Sequence, residues 1–199
     1  MKLFGTSNYI EIYDNSLSAR ECDMIISAFE EGGPTPGYTS DGYAPDDKKS
    51  MDIPYKFSQS NKVSNIIYPN LIRGLSKYYK KYDAVLKENS FFGIYNHFNV
   101  QKYETEEDGY KVWHCEHGPS PTGSMRILAW MFYLNNAKSG TEFKLYPTVQ
   151  AKRGRCVIWP SAWTHKHRGV IPNKGLKYIA TGWVSFKNVE STPTIVDIC

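Results

Sequence analysis

Four of the five histidines fall in two short clusters, Trp113-His114-Cys115-Glu116-His117-Gly118 and Trp163-Thr164-His165-Lys166-His167-Arg168-Gly169. If both clusters lie on strands, residues two apart point to the same side. His114 and Glu116 then present an imidazole and a carboxylate together. His165 and His167 share a face on a second strand about fifty residues later. Two neutral nitrogen donors and one carboxylate, with coordination positions left open, form the set used by non-haem Fe(II) oxygenases. The carboxylate offsets part of the metal's charge, and the vacant face lets small molecules reach the ion. An H-x-E pair alone is commonplace on protein surfaces, and it is the second cluster that makes this a candidate site. His117 falls on the opposite strand face from Glu116 and reads as a loop histidine, while His97 reads as structural.

The elements that must position these clusters follow from periodicity. Asn8 to Tyr13 alternates like a short strand. Ser18-Ala19-Arg20-Glu21 is a capping box, Ile25, Ile26 and Phe29 follow at helical spacing, and Gly32-Gly33 ends the helix. Residues 32–52, rich in Gly, Pro and Asp, read as a long loop with too few apolar residues to pack by itself. Such loops are often lids or disordered. As a lid, its Tyr38 and Tyr43 would touch an extended peptide, with Gly32, Gly33, Gly37 and Gly42 as hinges. From Ser60 to Lys87 the apolar spacing is again helical, with a kink or split expected at Pro69. Short apolar or alternating runs then predict strands near 92–103, 110–117, 126–134, 141–146, 155–159, 164–169 and 177–186. The result is one α+β domain. Residues 1–90 supply a strand, helices and the long loop, residues 91–186 a β-sandwich or barrel, and residues 187–199 a tail.

Composition narrows the function classes. The chain has 199 residues, 15% of them aromatic and 22% charged, which is enough apolar material for a real core and too much for a disordered chain. A net charge of +4 without a run of five like charges demands neither a nucleic-acid nor a membrane partner. The longest apolar run, Ile127 to Leu134, is too short to cross a bilayer. The first twenty residues lack the apolar stretch of a secretory signal, which points to the cytoplasm. Cys22, Cys115, Cys156 and Cys199 show no C-x-x-C spacing and read as reduced thiols.

The ordered series of short motifs is more specific than any one of them. It comprises His114-Cys115-Glu116, Phe132-Tyr133-Leu134-Asn135, Gly140-Thr141-Glu142-Phe143 and Lys152-Arg153-Gly154-Arg155. It ends with His167-Arg168-Gly169 and, ten residues after His167, Lys177-Tyr178-Ile179. The stretch from about Gly93 to Phe186 resembles the catalytic core of the 2-oxoglutarate/Fe(II)-dependent dioxygenases, specifically the prolyl 4-hydroxylase-like group with its phage-encoded members. The resemblance implies a double-stranded β-helix (a cupin-like jelly roll) with N-terminal helices packed on one sheet. It implies Fe(II) held by His114, Glu116 and His167, with Lys177 on the distal carboxylate of 2-oxoglutarate and Tyr133, Tyr103 and Thr141 lining that end. The implied reaction is hydroxylation of a C–H bond in a peptide or small-molecule substrate, with a peptidyl proline as the leading choice. The oxoacid is decarboxylated to succinate, and ascorbate is a candidate reductant. For a phage-encoded member the compartment is the host cytoplasm.

One departure stands out, because the family's usual carboxylate is Asp and here it is Glu116, one methylene longer. That change implies either a displaced metal or a lost activity, and the retained His, Lys and Tyr positions speak for activity. The ten-residue step to Lys177 favours His167 over His165 as the distal ligand, leaving His165 beside the pocket. Arg126 reads equally as a pocket or strand-end residue, Trp130, Trp159 and Trp183 as core, and Trp163 as a pocket wall. Two other readings stay open. One is a cupin-type metal protein using His114, Glu116, His165 and His167 without 2-oxoglutarate, and the other is a silent jelly-roll binding module. A nucleic-acid demethylase fits less well, because Lys177 stands where those enzymes carry an Arg-rich signature.

Overall fold

The computed structural model describes residues 8–39, 42–83, 92–171, 175–186 and 196–197. Its first half runs β1 (Glu11–Tyr13), α1 (Ala19–Glu31), β2 (Thr35–Pro36), β3 (Lys48–Lys49), β4 (Met51–Lys56) and α2 (Lys62–Lys81). The second half runs β5 (Phe92–Tyr103), β6 (Gly109–Tyr110), β7 (Arg126–Tyr133), β8 (Gly140–Phe143) and β9 (Val149–Gln150). It continues through β10 (Cys156–Pro160), β11 (His167–Val170), β12 (Lys177–Phe186) and β13 (Val196–Asp197).

The capping box forms as expected. Ser18 Oγ accepts from the Glu21 N–H at 3.2 Å, and the Glu21 carboxylate accepts from the Ser18 N–H at 2.7 Å. Such a cap contributes about 1 kcal/mol, and α1 then buries Cys22, Ile25 and Phe29. Helix α2 is not split at Pro69 but runs continuously from Lys62 to Lys81. Near the turn where proline lacks an N–H, the Asn70 side chain donates to the Ile66 carbonyl at 2.8 Å. The apolar residues Val63, Ile67, Leu71 and Leu75 also stay buried on one face and hold the helix in place.

The larger sheet has the order β1-β10-β7-β12-β5-β4-β2, with β13 beside β5. A second sheet, β11-β8-β9, and the ribbon β3-β6 complete an antiparallel double-stranded β-helix, the jelly roll expected. Alternation divides the larger sheet into two chemistries. Even-numbered residues such as Phe98, Trp130, Phe132, Ile158 and Ala180 pack with α1 and α2 into one core. Odd-numbered residues such as Tyr103, Tyr133, Trp159 and Ile179 face the other way, toward Phe143 and Val149 of the second sheet. Gly154 turns the hairpin before β10 at φ +77°, and a Cβ there would stand 2.2 Å from the Leu17 carbonyl oxygen.

Several expected spans change. The strand at 110–117 reduces to the two residues of β6, with a loop from Lys111 onward. The strand at 164–169 begins only at His167, because Trp163–His165 forms a 3-10 turn, and β8 stops at Phe143. The expected loop 32–52 contains β2, β3 and the start of β4. A buried polar cluster substitutes for the missing apolar residues, in which Lys48 Nζ meets Asp52 Oδ2 at 2.5 Å. Ser50 and Gln101 donate to the same carboxylate at 2.8 and 3.0 Å. Residues 84–87 of the second helical prediction and the tail's 187–195 lie outside the described residues. No helix among the described residues is long and apolar enough to cross a membrane, and Cys22, Cys115 and Cys156 are free thiols.

Candidate metal centre

His114, Glu116 and His167 each offer one donor atom, and the three atoms lie within 4.8 Å of one another. Glu116 Oε1 is 3.6 Å from His114 Nε2 and 3.4 Å from His167 Nε2. Strand parity does not achieve this, because His114 and Glu116 sit on a loop. Reciprocal backbone hydrogen bonds do: the His114 N–H donates to the His167 carbonyl at 3.0 Å and the His167 N–H to the His114 carbonyl at 2.9 Å. The second ring nitrogens are also fixed, with His114 Nδ1 3.0 Å from the Val112 carbonyl and His167 Nδ1 2.9 Å from the His165 carbonyl. A carbonyl only accepts, so each neutral imidazole keeps its proton on Nδ1 and turns the Nε2 lone pair toward Glu116. These donors fit a divalent ion of intermediate softness such as Fe(II). Burial alone would raise the Glu116 carboxyl, but hydrogen bonds and charge from His114 and His167 outweigh it when their Nε2 atoms carry protons and hold it well below the usual carboxylate range; a metal ion at Nε2 would supply the positive charge in their place.

The other carboxylate oxygen is held from behind. Trp183 Nε1 donates to Glu116 Oε2 at 2.7 Å, and Arg126 Nη1 lies 3.5 Å from the same oxygen. The Arg126 guanidinium covers the Trp183 ring at 3.7 Å from its centre. Tyr110 stacks on His114 at 3.6 Å, and Trp159 meets His167 edge-on at 5.1 Å.

The three donors open onto a cavity of about 670 Å³ whose walls include Tyr133, Thr141, Lys177 and Trp183. Lys177 is 3% exposed, and its Nζ donates to the Val170 carbonyl at 3.2 Å and lies 4.5 Å from the Tyr103 ring centre. Among the described residues no carboxylate lies within ion-pair distance of this ammonium, and burial lowers its pKa to about 8. A buried, unneutralised cation costs free energy until an anion joins it. Gly169 leaves the space beside it open, since a Cβ there would stand 3.6 Å from Lys177 Nζ. Tyr133 and Thr141 join hydroxyl to hydroxyl at 2.6 Å, and burial pushes the Tyr133 phenol up. Tyr103 donates to Gln101 Oε1 at 2.9 Å, which ties it to the Asp52 cluster, and burial raises its phenol well above the ordinary value.

Most of the residues singled out in the sequence therefore meet in one place, and a few do not. His165 leaves the pocket: Nε2 is 2.7 Å from the Asn8 carbonyl, Nδ1 is 2.9 Å from Thr164 Oγ1, and the ring stacks on Tyr146. Burial keeps it neutral by lowering its pKa. With both ring nitrogens occupied, the four-ligand reading fails. Trp163 is 74% exposed and walls nothing, and His97 is exposed rather than structural. Arg126 is both a strand end and a pocket residue, since it begins β7 and lines the cavity, Trp159 is core as read and also lines the cavity, and Trp183 lines it too. Trp183 had a usable signal, because it stands six residues after Lys177 on one strand and so shares its face.

A jelly roll that gathers two imidazoles and a carboxylate at its open side, with a buried lysine deeper in, defines the class of 2-oxoglutarate-dependent non-haem iron dioxygenases. Residues 98–185, which hold the three donors and Lys177, match the family model of the 2OG-Fe(II) oxygenase superfamily, and the enzyme is a 2-oxoglutarate-dependent dioxygenase whose cofactors are Fe(II) and 2-oxoglutarate. No curated protein matches the sequence. Among solved structures, the viral collagen prolyl hydroxylase of Paramecium bursaria Chlorella virus-1, in its 2-oxoglutarate complex, is similar at TM-score 0.66. It is 18% identical, and the match covers 90% of this chain and 96% of that one. A Pseudomonas putida prolyl 4-hydroxylase gives 0.65 at 13% identity, covering 92% and 94%. A Trichoplax adhaerens prolyl hydroxylase bound to a hypoxia-inducible-factor peptide fragment gives 0.68 at 14% identity, covering 94% and 89%. The fold is prolyl 4-hydroxylase-like.

Proposed function

We propose that His114 Nε2, Glu116 Oε1 and His167 Nε2 hold the Fe(II), that Lys177 anchors the distal carboxylate of 2-oxoglutarate, and that the substrate is a peptidyl proline. The observation that carries the assignment is the buried, unpaired Lys177 ammonium in the same cavity as the three donors. The bound iron and oxoacid supply O2 activation, decarboxylation to succinate and hydroxylation of a substrate C–H bond. The protein's own residues do the rest. Lys177 offers a charge-assisted hydrogen bond to the far end of the dianion. Thr141, Tyr133 and Tyr103 wall that end with hydroxyls and rings, and Trp159 and Ile179 exclude water from it. Tyr38, exposed at the mouth and 5.8 Å from Tyr43 between ring centres, gives an extended peptide an aromatic surface. A peptide substrate accords with the neighbour that carries a peptide fragment.

The test is anaerobic Fe(II) titration followed by 2-oxoglutarate turnover with and without proline-containing peptides. Wild-type protein is expected to bind one ion, and peptide to raise succinate formation in step with a +16 Da product (one added oxygen, by stoichiometry). His114→Ala, Glu116→Ala and His167→Ala should each lose metal binding and turnover, whereas His165→Ala should keep both. Activity in His167→Ala with loss in His165→Ala overturns the ligand assignment. Turnover stimulated by no proline peptide overturns the substrate assignment alone.

A further inference from the structure

The glutamate at the carboxylate position raises a geometric problem that the surrounding residues answer. A glutamate side chain has one more rotatable bond than an aspartate, so its oxygens reach further and are less fixed by the backbone. In this protein the two oxygens have separate partners. Oε1 faces both histidines, at 3.6 and 3.4 Å, while Oε2 is turned away from them to Trp183 Nε1 at 2.7 Å. The indole is clamped in turn. Its ring lies under the Arg126 guanidinium at 3.7 Å, and Arg126 Nη1 reaches both the Glu116 carbonyl, at 3.3 Å, and Oε2, at 3.5 Å. Trp183 also sits where the β12–β5 register shifts, between Gly182 and Val184, while β12 stays paired with β7 at Trp183 and Ala129. A register irregularity of this kind re-aims a side chain.

We infer that Trp183, backed by Arg126, is a positioning residue for Glu116: its indole N–H fixes Oε2 so that Oε1 alone is presented to the ion. The inference rests on the proposed role of Glu116 as a metal ligand. It explains how a longer carboxylate occupies this place without losing a single defined donor. An indole is suited to the task, because it donates one hydrogen bond, accepts none and carries no charge that would compete for the metal. The arrangement also predicts an asymmetry. The Trp183 N–H should matter when position 116 is glutamate and become nearly irrelevant when it is aspartate, whose shorter side chain does not reach it.

The experiment is a double-mutant cycle on the full chain with Co(II) as the probe ion, read by calorimetric Kd and by the ligand-field absorption of the bound cobalt. Trp183→Phe, which keeps a smaller aromatic ring beside Arg126 and removes the indole N–H, is expected to weaken Co(II) binding about 10- to 100-fold and to alter the absorption bands. The same change made in a Glu116→Asp background is expected to alter Kd less than 3-fold, a non-additivity that marks direct coupling. Equal losses in both backgrounds would assign Trp183 a packing role and overturn the inference. So would wild-type Kd and bands in Trp183→Phe. Glu116→Ala separates the two claims, for if it binds Co(II) like wild type then the ligand assignment has failed. If it loses binding while Trp183→Phe does not, only the positioning role has failed. Should Trp183→Phe not fold, Arg126→Gln takes its place in the cycle, with coupling to Glu116 supporting the inference and its absence overturning it.

Discussion

The two faces of the larger sheet are built by the same strands and share almost no chemistry. Residues 98, 100, 128, 130, 132, 156, 158 and 180 point to the helices and are all apolar and buried. Residues 101, 103, 133, 159, 177, 181 and 183 point the other way and bring an amide, phenols, indoles, a hydroxyl and an ammonium to the cavity. The helix face excludes water with side chains that are almost wholly apolar, the buried Trp130 indole N–H being an exception. The cavity face buries polar groups that are only partly satisfied by the protein. Stability and function are thus separated by a single step along each strand, and a one-residue slip in register would exchange them.

The sharpest way to break this division is to truncate one large residue on each face. Trp130→Ala, on the helix face, is expected to cost about 3–5 kcal/mol in urea unfolding, while the ion affinity of the protein that remains folded stays close to normal. Its counterpart, Lys177→Met, should hold or gain stability, because it removes a buried unpaired charge. The same change should raise the KM for 2-oxoglutarate about 10- to 150-fold, the worth of a charge-assisted bond of about 1.5–3 kcal/mol, and leave metal affinity unchanged. A Lys177→Met protein that unfolds, or a Trp130→Ala protein as stable as wild type, would erase the distinction between the faces.

A smaller effect sharpens it further. The Lys177 pKa of about 8 lies below the 10.5 of an unburied lysine because of burial. On the proposed role of Lys177 the charged form binds the dianion, so 2-oxoglutarate affinity should fall by up to tenfold per pH unit as pH rises above about 8. Stability moves in the opposite direction. Between about pH 8 and 10.5 the unfolded chain binds the proton that the folded protein has shed, so this group's contribution to stability rises with pH. Binding titrations and urea midpoints over that interval should therefore diverge in wild type and run parallel in Lys177→Met.

How much of this was legible in the sequence depends on whether local pattern or tertiary contact sets each feature. Strands β5, β7 and β12 and helix α1 follow directly from alternation and capping, and the three side chains that the motifs single out as donors do come together in space. Strand parity does not bring His114 and Glu116 together, because a backbone bridge to a distant strand seats His114 while Trp183 and Arg126 hold Glu116, and no local pattern encodes either contact. His165 and His167 likewise part company, since a 3-10 turn interrupts the period-2 spacing between them. The buried Lys48–Asp52 pair escaped because charged residues in a Gly- and Pro-rich stretch read as solvated. Trp183 escaped for the opposite reason. An aromatic residue on a buried strand is assigned to the core by habit, although counting its parity from Lys177 would have placed it in the cavity.

The reciprocal backbone bridge between His114 and His167 has a consequence for how the protein lives with its metal. These two imidazoles are about fifty residues apart along the chain and become neighbours only once the second sheet has closed. Closure of that kind is a late, long-range event. If this pair holds the ion, as proposed, an unfolded chain offers no comparable pair, and the ion acts by mass action on the folding equilibrium. At a free concentration one hundred times its Kd it adds about 2.7 kcal/mol to the folded state. The iron supply around this protein then sets how long each molecule survives proteolysis as well as how often it turns over.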